Sequence, residues 1–445
     1  TVPPSLVEEG VDLLQALIRC DTSNPPGNEA KAVSILEQLL HEDGIPFERI
    51  EPERGRANLI ARLPGDGTEE PLLLSSHLDV VPASEEGWTH PPFSGVNADG
   101  YIWGRGAIDM KGFAAMAFTL FRQAKREHRP RKRDLIFAAV ADEERGCQWG
   151  SSYLVEHHPD LVTAEYAINE VGGFSIDVRG QPFFLIQRAE RGGAWIRVRF
   201  RGKPGHSSLP TPHSALQQAA KAITQLSGAK LPHHPNAPAL DFLDAVGAAS
   251  SPIERMVLRS LHSPALGKWV LHHLFPPGEQ RLNTQASLSN SMTPTVIHAG
   301  NAVNVVPSEV TMDIDGRIVP GSSLDELLHE LRTIIGPDPQ VEILAHHPPS
   351  VFPTETPMYR AMEEVIHARR PDARVAPYLI SGFTDSWNWA KLGTTCYGFY
   401  PLELPPDLRF SELFHGIDER IPIAGFEFGL ACISDLFERE LYAEP

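Results

Sequence analysis

Thiols are scarce in this 445-residue chain. Its four cysteines, Cys20, Cys147, Cys396 and Cys432, stand far apart with no CxxC pair. That spacing argues against a disulfide scaffold and against a thiolate zinc site, and makes a reducing compartment the default. Long apolar runs are missing as well, since none approaches the ~18 residues of a membrane span. The opening TVPPSLVEEG has no basic stretch leading into an apolar one, so no secretory leader is visible and the expected location is cytoplasmic. Basic charge is in deficit, with 39 Lys and Arg against 57 Asp and Glu and a formal net charge of -18. The basic residues are scattered, which speaks against a nucleic-acid groove and against an anionic membrane patch. Small solutes and divalent cations are the expected partners. No internal repeat is present.

What the chain does contain is ordinary globular composition, 42% hydrophobic and 22% charged, at a length that suggests two or three domains. The first third alternates helical and strand patterns. Val7, Val11, Leu14 and Ile18 form one helical stripe, and Asn28 stands where it would cap a second helix carrying Val33, Leu36 and Leu40. These two helices are expected to precede the first strongly buried strand, PLLLSSHLDVV. DLIFAAVAD and AEYAINE read as further buried strands, giving an α/β layered pattern. The middle differs: in WIRVRFRGKPG apolar and basic residues alternate, the signature of a sheet with one solvated face. Helical periods near Leu216 and after a Ser323/Glu326 capping box complete a small α+β domain. The expected division is a catalytic domain over residues 1–187 and 350–445, interrupted by a second domain over 188–349. An insertion with helical pieces lies near 229–282, and the histidines His233 and His234 in LPHHP read as surface.

Chemistry collects where the buried strands run out. His77 and Asp79 follow LLLSS, Asp109 sits in GRGAIDMKG before a helix, Glu143 and Glu144 follow DLIFAAVAD, and Glu170 follows AEYAIN. In open α/β sheets ligands bind beyond the carboxyl ends of the strands, so these groups converge if the strands are parallel neighbours. Carboxylates so close together take up protons unless a cation compensates, and nitrogen and oxygen donors without thiolate suit zinc, cobalt or manganese. Taken singly, Asp109 serves equally well as a helix cap and the Glu143–Glu144 pair as a solvated acidic turn.

Seven motifs in order, SSHLDVVP, GRGAIDMKG, ADEERG, NEVGG, GHSSLP, NVVPSE and FHGIDERI, break that tie. Over nearly the whole chain the pattern resembles the M20 metallopeptidases, a family that includes aminoacylases, deacylases and carboxypeptidases. The resemblance implies a zinc-peptidase-like α/β catalytic domain with an inserted α+β, ferredoxin-like lid and dimerisation domain. It also implies two zinc ions bridged by Asp109, one completed by His77 and Glu170 and the other by Glu144 and His415. Glu143 would then be the general base and Asp79 would orient His77. From the second domain, His206 would stabilise the oxyanion, commonly in the site of a partner subunit. Asn304 and Arg317 would grip a substrate carboxylate, and the backbone from Gly382 to Asp385, with Gly382 and Thr384 as its marker residues, would line the pocket. A cis peptide after the bridging aspartate, Asp109–Met110, belongs to the same pattern. The implied activity is cleavage of an amide bond beside a free carboxylate, in an N-acyl amino acid or a short peptide, by an enzyme that would form a homodimer. Glu170 favours the aminoacylase branch, whereas the long insertion resembles the carboxypeptidase-S-like and N-fatty-acyl amino acid hydrolase members. A metal-binding assembly module without catalysis is the other class of reading, and the presence of Glu143 argues against it.

Overall fold

The computed structural model describes residues 2–442. Its contacts divide the chain into two compact units. The first holds the chain up to Arg188, Phe352–Tyr378 and everything described from Thr384 onward; the second holds Ala189–Val351 together with Leu379–Phe383.

In the first unit the main sheet runs in the order Phe47–Ile50, Asn58–Leu63, Leu135–Val140, Leu72–His77, Tyr166–Asn169, Thr395–Gly398 and Gln181–Glu190. Its centre is parallel: Leu72–His77 pairs in parallel with Leu135–Val140 on one side and with Tyr166–Asn169 on the other. All residues of these three strands are buried, which is why they read as continuous apolar runs rather than as alternations. The helix Lys111–Arg126 packs on this sheet and buries Phe113, Phe118 and Phe121. Two details depart from the sequence reading. The buried strand Asn58–Leu63 also precedes Leu72–His77 and pairs antiparallel with Leu135–Val140. Arg62 in NLIARL breaks the apolar run, and that hides it. Asn28 does stand before the helix Glu29–Glu42, but its side chain makes no capping bond.

The second unit is an α+β layer. Its antiparallel sheet runs Ser291–His298, Glu309–Ile318, Gly192–Arg201, Gln340–His347. The expected alternation is present: Ile196, Val198 and Phe200 join Met312 and Ile314 in a core closed by Ala219 and Leu327 from two helices. On the other face Arg197 pairs with Asp313 at 2.7 Å, directly opposite in register. The Ser323/Glu326 capping box is formed. Between these parts lie four helices, Ala237–Ala248, Pro252–Ser260, Pro264–His273 and Glu279–Leu288, around a small core of Leu243, Leu261, Val270 and Leu288. His233 is not a surface residue. Its ring is buried against the Leu261 carbonyl at 2.7 Å. Gly267 makes room for it, because a Cβ there would meet the ring nitrogen at 2.6 Å.

Candidate metal centre

Parallel pairing brings the ends of three strands together. The register places His77 opposite Val140, so the short turn Glu143–Arg145 begins three residues past the level of the His77 ring. Glu170 follows Asn169 on the other side. Asp109 arrives from the loop before the helix Lys111–Arg126, and the Asp109–Met110 peptide is cis, as the resemblance implies. His415 arrives from the loop after Phe410–Leu413, with a φ of 60°.

The donors fall into overlapping sets. His77 Nε2 lies 3.0 Å from Asp109 Oδ1 and 3.4 Å from Glu170 Oε1. His415 Nε2 lies 3.1 Å from Asp109 Oδ2 and 3.1 Å from Glu144 Oε2. Each set can close on one cation, and Asp109 presents a different oxygen to each. A tetrahedral shell with ~2.0–2.2 Å bonds puts its donors roughly 3.3–3.6 Å apart, so little adjustment is needed. Glu143 also stands within reach of His77 and Glu144, with its Oε2 at 3.7 Å from His77 Nε2.

Electrostatics point the same way. Burial, then the charge of Glu170, pushes the Glu143 carboxyl well above the carboxylate range. Burial and the charge of Asp109 push Glu144 up to about 7. Against burial, the hydrogen bonds from His415 and His77 hold Asp109 far down, and bonds to Asp109 and Glu144 push His415 up to about 10. Protons on imidazoles and carboxyls thus do the balancing that a divalent cation would do if it displaced them. The nitrogen and oxygen donors therefore fit a cation pair.

Asp79 supports the centre in an unforeseen way. His77 Nδ1 meets the Asp79 main-chain carbonyl at 2.9 Å, while the Asp79 carboxylate is 3.5 Å away. That carboxylate instead accepts the amides of Glu143 and Glu144, each at 3.1 Å, and the Asn24 side chain at 2.8 Å. It holds the turn that carries both glutamates.

Sequence reading missed a second support. Glu419, fully buried, accepts the amides of Ile108 and Asp109 at 2.8 and 3.0 Å and pairs with Arg105 at 2.7 Å. Arg105 in turn donates to the carbonyls of Gly416 and His415. One ion pair therefore ties the Asp109 loop to the His415 loop. The available signal was a charged residue four positions from each ligand, inside the same motifs.

In the second unit, the strand Gly205–His206 pairs antiparallel with Val305–Val306, and the Ser207 amide donates to the Asn304 carbonyl at 3.2 Å, which brings His206 and Asn304 together from distant parts of the sequence. His206 is exposed, its Nδ1 at 2.8 Å from Ser208 Oγ. Arg317 lies on the half-exposed face of its strand, as its parity predicts. Its Nε donates to Asp315 at 3.0 Å and its guanidinium stands 5.5 Å from the Phe383 ring. Arg191, also missed, is buried behind it and donates to Ser291 Oγ at 2.7 Å and to the Arg317 carbonyl. Gly382 belongs to this unit, whereas Thr384 belongs to the first, where its buried hydroxyl accepts from Asn169 next to Glu170.

An α/β sheet whose parallel strands deliver such a donor set at their carboxyl ends is the architecture of a metal-dependent hydrolase of amide bonds. Comparison with known proteins makes the assignment narrower. Residues 73–439 match the model of Peptidase family M20/M25/M40, and the chain belongs to the M20 family, whose hydrolases act on amide and peptide bonds. It is 30% identical to the N-fatty-acyl-amino acid synthase/hydrolase PM20D1 of Bos taurus over 81% of this chain and 72% of that protein. It is 25% identical to human aminoacylase-1 over 99% of this chain and 96% of that protein. Among solved structures, the M20 family metallo-carboxypeptidase Sso-CP2 from Sulfolobus solfataricus has the same fold, with a TM-score of 0.71 at 18% identity over 97% of this chain and 99% of that one. No helix among the described residues is long and apolar enough to cross a membrane.

Proposed function

We propose that this protein is a two-metal amidohydrolase that cleaves the amide bond of N-acyl amino acids, recognising the free carboxylate beside that bond. The carrying observation is Asp109, which offers Oδ1 to the His77 set and Oδ2 to the His415 set. His77, Asp109 and Glu170 would hold one zinc ion, and Asp109, Glu144 and His415 the other; cobalt and manganese suit the same donors. Bound there, the metal pair would supply Lewis-acid polarisation of the scissile carbonyl and acidify the attacking water.

The remaining steps belong to the chain. Glu143 takes the proton from the attacking water and returns it to the leaving nitrogen. Asp79 keeps the Glu143 turn in place and fixes the proton on His77 Nδ1, so that Nε2 faces the cation site. His206 donates to the oxyanion. Arg317 and Asn304 bind the carboxylate, with the backbone from Gly382 to Thr384 lining the pocket. The names of the bovine and human relatives support N-acyl amino acids as the substrate class. The Sulfolobus fold relative is a carboxypeptidase, and a free carboxylate next to the scissile bond is common to both readings. All four cysteines are free, which fits a reducing, cytoplasmic setting.

Assay of zinc-loaded protein on N-acyl amino acids, dipeptides and their carboxyl esters tests the reading. N-acyl amino acids are expected to be turned over fastest, and zero turnover of every amide would remove the enzymatic proposal. Arg317→Ala is expected to lower kcat/KM on free acids about 10- to 100-fold, since a hydrogen bond to a charged group contributes about 1.5–3 kcal/mol. The esters should be unaffected. Equal efficiency of the unaltered enzyme on acids and esters would sink the carboxylate assignment.

The second unit would serve as lid and dimerisation domain, and its exposed His206 would complete the site of a partner subunit. Glu143→Ala and His206→Ala chains, each inactive, should then regain part of the activity when mixed as heterodimers. An active monomer, or verified heterodimers that stay inactive, would exclude the shared site.

A further inference from the structure

Arg191 stands just before the strand Gly192–Arg201 and is only 3% exposed. Its Nη2 donates to the Ser291 hydroxyl at 2.7 Å and to the carbonyls of Ser289 and Arg317 at 3.4 Å each, and its Nε has no partner among the described residues. Every one of these acceptors is neutral. The other arginines along the four-stranded sheet do meet carboxylates: Arg197 pairs with Asp313, Arg199 with Glu342, Arg201 with Glu309 and Arg317 with Asp315. Arg191 meets none among the described residues. A guanidinium buried without a counter-charge is costly, so a neutral side chain would suit this position better if packing were its only task.

The sheet register shows where that charge acts. Ser291, Arg317 and Gly193 occupy one rung. Carried one residue upstream of the strand, the period-2 alternation puts Arg191 on the same face as Arg317 and diagonally across from it, and the bond to Ser291 Oγ lies on that side too. Gly193 places no side chain between the two arginines. Arg317 spends its Nε on Asp315 at 3.0 Å, and its two terminal nitrogens make no hydrogen bond among the described residues. They are left to face a ligand. Arg317 and Asp315 sum to zero charge, whereas the addition of Arg191 leaves one positive charge. The charges that act on Arg191 are those same two; burial, then Arg317, lowers its guanidinium to about 9, which keeps it protonated at neutral pH.

We propose that Arg191 supplies the excess positive charge by which the second unit selects a substrate carboxylate, acting through Arg317, which makes the contact. The carboxylate is the counter-ion that Arg191 lacks. Arg191 itself is a positioning residue, because it is too deeply buried to touch a ligand. The charge sum matches a single carboxylate on the leaving amino acid and disfavours a neutral ester or amide there. This inference rests on the carboxylate grip of Arg317 proposed above and adds the group that makes the grip selective.

Calorimetric titration of N-acetylmethionine and of its methyl ester into zinc-loaded Glu143→Gln protein reads binding without turnover. The acid is expected to bind more tightly. Arg191→Gln, which can keep the bond to Ser291, should weaken acid binding about 10- to 50-fold, the effect of one charge at roughly 7 Å with an effective dielectric of about 20, and leave the ester unchanged. Arg191→Lys should keep most of the preference. Adding Asp315→Asn to Arg191→Gln returns the sum to one positive charge and should restore acid binding, a rescue that a purely hydrogen-bonding role would not give. Asp315→Asn alone leaves Arg191 in place and should bind the acid no more weakly than the unaltered pocket, so the idea stays testable even if Arg191→Gln does not fold. Equal affinity of the unaltered pocket for acid and ester would fail the carboxylate reading itself and this inference with it. An acid preference that survives in Arg191→Gln, a loss there that Asp315→Asn does not repair, or weaker acid binding by Asp315→Asn alone would overturn this inference and leave the carboxylate reading standing.

Discussion

Glu143→Ala is expected to retain its metal and to lose turnover by about 10² to 10⁴-fold, the range over which a positioned general base contributes. The expectation follows from its place. Its carboxylate lies 3.7 Å from His77 Nε2, further than those of Asp109 and Glu170. Its main-chain amide is held by Asp79. Removing the side chain leaves that anchor and both proposed donor sets intact. Metal analysis and steady-state rates on the same preparation separate the outcomes, and loss of metal from this variant would move Glu143 into the ligand set. Glu143→Gln is the companion, preserving volume while removing the base. It should be as inactive as the alanine variant.

Asp109→Ala should behave in the opposite manner and release both ions, because each donor set loses one oxygen of the same carboxylate. Polarisation by the metal is worth several kcal/mol, so activity should fall by about 10³-fold or more. The apoprotein should be little disturbed, since Glu419 accepts the main-chain amide of residue 109 and not its side chain. Dialysed protein that keeps its full metal content would reject the bridging role.

How far the sequence carries depends on the range of each interaction. Buried parallel strands announce themselves because both faces are covered, which leaves LLLSS and LIFAAV as unbroken apolar runs whose ends can be located to a residue. The alternation in WIRVRF likewise records a sheet with one wet face. Motif order then supplied the long-range grouping of His77, Asp109, Glu144, Glu170 and His415. The Arg105–Glu419 pair leaves no periodic trace, since its partners are 314 residues apart and it answers to main-chain amides. The burial of His233 is hidden for a related reason. Histidine beside proline looks like loop surface, and only the missing side chain at Gly267 shows that the ring has somewhere to go. The HLD spacing pairs Asp79 with the His77 ring, but main-chain groups are invisible in composition. Its carbonyl and the Glu143 and Glu144 amides turned out to be the nearer contacts.

The Arg105–Glu419 tie also bears on how the protein is made. During synthesis the ribosome delivers His77, Asp109, Glu144 and Glu170 early, then the whole second unit, and only afterwards the strand Thr395–Gly398, His415 and Glu419. Until that last stretch emerges, the amides of Ile108 and Asp109 lack their acceptor and the sheet lacks the strand that pairs with Tyr166–Asn169. The nascent chain therefore carries an acidic, half-built pocket through most of its translation. Any cation captured in that interval would meet all three proposed carboxylate donors but only one of the two proposed imidazoles, so the set that His415 would complete stays open until the end of synthesis.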